Sequence, residues 1–155
     1  MRKLLLHTCC AICASGTITQ LKDQFDLACY YYNPNIHPAE EYQKKRDESR
    51  RYCDKIRVAF IEAPYEPAKW FKAVKGLENE PESGARCGVC IGMRLEQTAR
   101  SAKEHGFDIF SATITLLLRL YIQPTRSYFV KYRSALLKNH HCFFKVICLA
   151  NDCPP

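Results

Sequence analysis

Cys9 and Cys10 stand side by side after the run Leu4-Leu5-Leu6-His7-Thr8, and Cys13 comes three residues later. Far downstream the chain carries Cys87-Gly88-Val89-Cys90. A thiolate is at once a nucleophile, a redox group and a soft metal ligand, so two such clusters point to a metal or redox centre. The Cys87-x-x-Cys90 spacing at a helix start serves structural zinc, thioredoxin-like redox and iron–sulfur sites alike. Helix N-terminal amides and the neighbouring Arg86 favour the thiolate there, against the plainer reading of two apolar cysteines packed in a core. Adjacent cysteines on a strand point to opposite faces, so the chain must turn at Cys9-Cys10 for both to reach one centre. Closed zinc sites favour spaced pairs, whereas a polynuclear cluster tolerates adjacent ligands better. Two cysteines from each end supply the four thiolates of usual iron–sulfur ligation, and Cys13, one helical turn on, can replace a ligand or hold a further metal.

Other reactive types read more plainly. His7 reads as a packed strand residue before a ligand, and Cys29 and Cys53 fall on core stripes. Tyr30-Tyr31-Tyr32 reads as β packing, although Tyr32, nearest the strand end, can meet a base or ring. Arg46, Arg50 and Arg51 can meet phosphate, but a solvated helix face explains them as well. No glycine-rich phosphate loop and no Ser-His-Asp order is legible.

The elements that must position these groups follow from periodicity. Lys3 to Thr8 predicts a short buried strand. Ser15 predicts a helix cap, with Ile18, Leu21 and Phe25 on one face. Leu27 to Tyr32 predicts a second strand, ended by the Asn33-Pro34-Asn35 turn. Pro38 suits the first turn of a helix whose Tyr42, Ser49, Cys53 and Ile56 form one stripe, with Glu40/Lys44, Glu41/Lys45 and Asp47/Arg51 at ion-pair spacing. Val58 to Ile61 predicts a third strand. Trp70, Phe71, Val74 and Leu77 predict a further helix, and Glu78 to Ala85 a loop. Cys87 to about Glu104 predicts the last helix, with Ile91, Leu95, Ala99 and Ala102 inward, before a fourth strand over Asp108 to Thr115. This alternation implies an α/β fold, Rossmann-like, with a mostly parallel sheet covered by helices on both faces. Sites in such sheets gather at the carboxyl ends of the strands, which places Cys9-Cys10 and the segment Tyr32 to His37 on one rim.

The chain has 155 residues, 47% apolar and 25% charged, the composition of a globular protein with one real core. Its ten cysteines would suggest disulfides in a small secreted protein. The opening Met1-Arg2-Lys3 is basic like a signal peptide, but the apolar run stops after three leucines, so the expectation is a cytoplasmic protein with reduced thiols and no membrane segment. Net charge is +7, which permits a nucleic-acid partner. Residues 1–115 hold 17 Lys+Arg against 15 Asp+Glu, and residues 116–155 hold 6 against 1, so the surplus sits in the tail. That tail follows no helix or strand period through His140-His141-Cys142 and Cys148 to Cys153. The expected organisation is a domain over residues 1–115, carboxyl-terminally truncated, and a divergent basic tail over 116–155 that reads as out-of-frame translation.

Three blocks resemble a known family. Leu5-Leu6-His7-Thr8-Cys9-Cys10-Ala11-x-Cys13, Tyr32-Asn33-Pro34-Asn35-Ile36-His37-Pro38-x-x-Glu41-Tyr42 and Arg86-Cys87-x-x-Cys90-x-x-Met93-Arg94-Leu95 look like the QueH-type epoxyqueuosine reductases, across residues 1 to about 115. The resemblance implies a [4Fe–4S] cluster on Cys9, Cys10, Cys87 and Cys90; the spacing of Cys13 leaves room for an additional iron. It implies reduction of an epoxide on a modified guanine of the tRNA anticodon loop, in queuosine synthesis, with a tRNA substrate and an electron donor that the sequence does not identify. Ile12 stands where the family usually has Pro, and the family's later Cys-x-Cys pair has no counterpart, since Cys142, Cys148 and Cys153 are spaced differently. A zinc-stabilised RNA-binding module and an iron–sulfur tRNA thiolation enzyme are the alternatives, the latter needing an ATP loop.

Overall fold

The computed structural model describes residues 1–113 and 148–149. The elements run β1 (Lys3–His7), α1 (Ala11–Leu21), β2 (Asp26–Tyr31), α2 (Ala39–Ile56), β3 (Ala59–Glu62), α3 (Pro67–Ala73), α4 (Ala85–Glu104), β4 (Ile109–Ala112) and β5 (Cys148–Leu149). They form one sheet in the order β3-β2-β1-β4-β5. β1 pairs in parallel with β2 and with β4, β2 pairs in parallel with β3, and β5 runs antiparallel to β4. The expected α/β architecture is therefore present, with a Rossmann-type order across its four parallel strands.

β1 is the centre of the sheet because both of its faces are apolar. Leu4 and Leu6 pack with Ala14, Ile18, Leu21, Leu27, Cys29, Cys53, Val58 and Ile109 on the side of α1 and α2. Leu5 packs with Ala28, Tyr30, Tyr32, Ala99, Ala102 and Phe110 on the side of α4. A parallel strand buried on both faces reads as a continuous apolar run, which is what the three leucines are. Each fully buried leucine contributes about 1.5–3 kcal/mol of transfer free energy.

Several local expectations change. Helix α1 starts four residues earlier than Ser15: Cys10 is its N-cap, and the Ser15 hydroxyl bonds back to the Ile12 carbonyl at 3.0 Å inside the helix. Phe25 lies beyond that helix and packs against the same core. Pro38 is the N-cap of α2, one position before the first turn. Of the expected pairs on α2, Lys45 meets Glu41 at 2.7 Å, while Asp47 takes Arg46 at 2.8 Å. Arg46 and Arg50 reach across to Glu62 of β3 at 3.3 and 2.6 Å, so a carboxylate already occupies both. On α4 the buried stripe is Arg94, Thr98, Ala99, Ser101 and Ala102, with Ile91 and Leu95 half-buried. Phe71 of α3 is 58% exposed and stacks on His37 at 4.5 Å. A seven-residue helix has too few turns for periodicity to choose its face. Among the described residues, no helix is long and apolar enough to cross a membrane. Apart from β5, the basic tail lies outside the described residues.

Candidate metal centre

β1 lies between β2 and β4, where the connections diverge to opposite sides, and ligand crevices form outside the carboxyl end of such a strand. Hydrogen bonds fix the floor of that crevice. The Thr8 N–H donates to the Tyr30 carbonyl at 2.9 Å and the Thr113 N–H to the His7 carbonyl at 3.0 Å. The Asn33 side-chain amide donates to the Thr8 carbonyl at 3.0 Å, tying the β2 turn to the end of β1.

From this floor the chain swings directly into α1. Cys10 keeps extended backbone (φ −163°, ψ 163°) while Ala11 is already helical, and the Cys10 Sγ accepts the Cys13 N–H at 3.4 Å. The required turn at the adjacent cysteines is thus the strand-to-helix junction. Cys9 and Cys10 sulfurs are 3.9 Å apart, and the sulfurs of Cys9, Cys10 and Cys13 all lie within 4.8 Å of one another. Cys9 and Cys10 are half-buried and Cys13 is exposed.

The thiols titrate differently. Burial pushes Cys9 up, and the neighbouring Cys10 adds to it. Burial also works against ionising Cys10, but hydrogen bonds from the Cys13 side chain and backbone outweigh it and hold Cys10 below the usual thiol range. Cys13 is pushed up to about 12 by burial and by its bond to Cys10.

Cys87 and Cys90 come from the first turns of α4, capped by Gly84, and both are half-buried. Their sulfurs stand outside the close trio. Burial pushes Cys90 up, and Arg94 pulls it back. The same Arg94 also acts on Cys9 and on His7, so the early and late thiols share one charged neighbour. Sequence reasoning gave Arg94 no role beyond its place in the Cys87–Leu95 block; a further signal is a charged residue beside the inward stripe of α4.

His7 is fully buried. Its Nε2 is 2.9 Å from the Tyr32 carbonyl and its Nδ1 has no hydrogen-bond partner. Burial, then Arg94, lowers its pKa to about 3 against the opposing Tyr32 carbonyl. It is therefore neutral, with the proton on Nε2 and a bare lone pair on Nδ1. Tyr32 is 2% exposed with its hydroxyl 3.2 Å from Glu66, which removes it as a stacking platform. Cys29 and Cys53 are buried in the core, as their stripes predict.

The donors fit a soft, thiolate-bound metal centre. They are all sulfur and half-buried at the rim, apart from exposed Cys13, and among the described residues the close group contains no carboxylate.

A family model described as "Epoxyqueuosine reductase QueH" matches residues 4–123. The chain is 44% identical over 113 residues to a protein of that name from Acinetobacter baylyi, covering 72% of this chain and 52% of the relative. It is 44% identical over 114 residues to one from Haemophilus influenzae, covering 72% and 46%. It is 38% identical over 166 positions to one from Staphylococcus epidermidis, covering 97% and 70%. The chain spans about half the length of the first two.

Proposed function

The chain belongs to the epoxyqueuosine reductase QueH family, and we propose that it reduces the epoxide of epoxyqueuosine in the tRNA anticodon loop to the alkene of queuosine. Loss of the epoxide oxygen as water consumes two electrons and two protons, supplied through an electron donor that remains to be identified. Cys9, Cys10, Cys87 and Cys90 would hold a [4Fe–4S] cluster, and Cys13 an additional iron. Bound there, the iron centre supplies electrons and a Lewis acid for the epoxide oxygen.

The protein's own groups prepare that rim. The strand-to-helix turn at Cys10 aims adjacent thiols to one side, and the Asn33–Thr8 bond holds the β2 turn beside them. The observation that carries the reading is that the Cys9, Cys10 and Cys13 sulfurs converge within 4.8 Å at the end of β1, the strand on which α4, the bearer of Cys87 and Cys90, packs. Anaerobic reconstitution tests it. About four iron and four sulfide per chain are expected, with most of both lost in Cys87→Ala. One zinc and no sulfide would sink the proposal.

A zinc-stabilised RNA-binding module is the second reading, because sulfurs around one tetrahedral ion at about 2.3 Å stand about 3.8 Å apart. The Cys9–Cys10 separation of 3.9 Å matches that spacing. Sulfide content separates the two readings. The division into a 1–115 domain and an out-of-frame tail belongs to the proposal, and gene sequencing with intact mass checks it.

A further inference from the structure

Arg94 is only 5% exposed, the one buried Lys, Arg, Asp or Glu among the described residues. Its Nε–H donates to the Cys90 carbonyl at 3.2 Å, one helical turn back. Among the described residues, no carboxylate pairs with it, whereas Arg46, Arg50 and Arg100 each meet one. A buried guanidinium cannot be neutralised and is costly without a counter-charge. His7, buried on the adjoining β1, is an imidazole and has no anionic form to supply one. The groups with anionic forms on the elements around it are thiols: Arg94 lies one turn after Cys90 on α4, and α4 packs on β1, whose carboxyl end leads into Cys9 and Cys10. A metal bound by several thiolates is a net anion, so the missing counter-charge is the loaded centre itself.

We propose that Arg94 is the resident counter-cation of the thiolate centre, a positioning residue that retains the metal and raises its reduction potential. This rests on the thiolate-metal reading above. A fixed positive charge beside the centre stabilises its more negative, reduced state and so makes reduction easier. The arrangement also carries an opposite-sign signature. In the metal-free protein Arg94 is a buried charge with little to pair with, and in the loaded protein it is a partner.

Three forms test this: wild type, Arg94→Met, which keeps length and loses charge, and Arg94→Lys, which keeps charge. Metal-free Arg94→Met is expected to melt no lower than wild type. Its zinc affinity, by anaerobic competition against a chromophoric chelator, is expected to fall about tenfold or more. Arg94→Lys is expected to recover most of that loss. After iron–sulfide reconstitution, the midpoint potential of Arg94→Met is expected to shift negative. Unchanged zinc affinity, or a metal-free Arg94→Met that melts well below wild type, overturns the inference, because Arg94 would then be a packing residue. If wild type takes up no sulfide while zinc affinity still depends on Arg94, the reductase reading falls and the counter-cation stands.

Discussion

Cys10 is both a helix cap and a candidate metal ligand, and the two roles have different chemical requirements. The cap needs only an acceptor for the Cys13 N–H, which a hydroxyl provides better than a thiol. Cys10→Ser is therefore expected to leave metal-free stability unchanged or slightly raised while metal uptake falls; Cys10→Ala should lose uptake and also about 0.5–1 kcal/mol in urea titration. His7 carries a pH signature. Its folded pKa, lowered to about 3, lies below the ordinary value of 6.5. Between those values the unfolded chain binds the extra proton, so stability is fully present above about 6.5 and falls as pH drops toward 3. Unfolding free energies of the metal-free protein from urea titrations at pH 7, 6 and 5 should decline more steeply than those of His7→Gln, by up to about 1.4 kcal/mol per pH unit. Equal slopes would mean that the imidazole is solvated. The type and spacing of these residues were legible in the chain. The missing partner at His7 Nδ1 was not, because it depends on what the sheet packs above it.

At the level of elements, apolar residues of similar size divide sharply by position. Leu6 is fully buried against α1 and α2, whereas Phe71 is mostly exposed on α3. Leu6→Ala is expected to cost about 2–5 kcal/mol of unfolding free energy by denaturant titration. Phe71→Ala should cost less than about 1 kcal/mol, limited to its stack on His37. Comparable losses would place Phe71 in the core. Strands β1, β2 and β4 were readable because a doubly covered parallel strand needs a largely apolar run, and helix α2 because eighteen residues give five turns of consistent stripe. The start of α1 was missed because Ser15 is the stronger capping type, and the cysteine before Ala11 became the cap only through where β1 ends. Arg46 and Arg50 looked solvated or phosphate-ready until β3 brought Glu62 beneath them.

For the whole molecule, the two cores lie on the two faces of the sheet, while the thiols sit on its rim. The fold therefore does not depend on the centre as a zinc finger depends on its ion. Removing bound metal with a chelator under reducing conditions should leave far-UV circular dichroism nearly unchanged and a cooperative, lower melt. Loss of helical signal on chelation would show instead that the metal organises the domain. The sequence alone determined the alternation of strands and helices, the rim on which cysteines would gather, and the soft character of the donors, because each follows from residue type and short-range period. Only the tertiary structure decided that Cys9, Cys10 and Cys13 converge within 4.8 Å, that Tyr32 turns inward, and that Arg94 is buried with its Nε–H on the Cys90 carbonyl and no carboxylate partner among the described residues. Burial and counter-charge arise from chain segments brought together across the sheet, and no local pattern encodes which charge will find itself without a carboxylate.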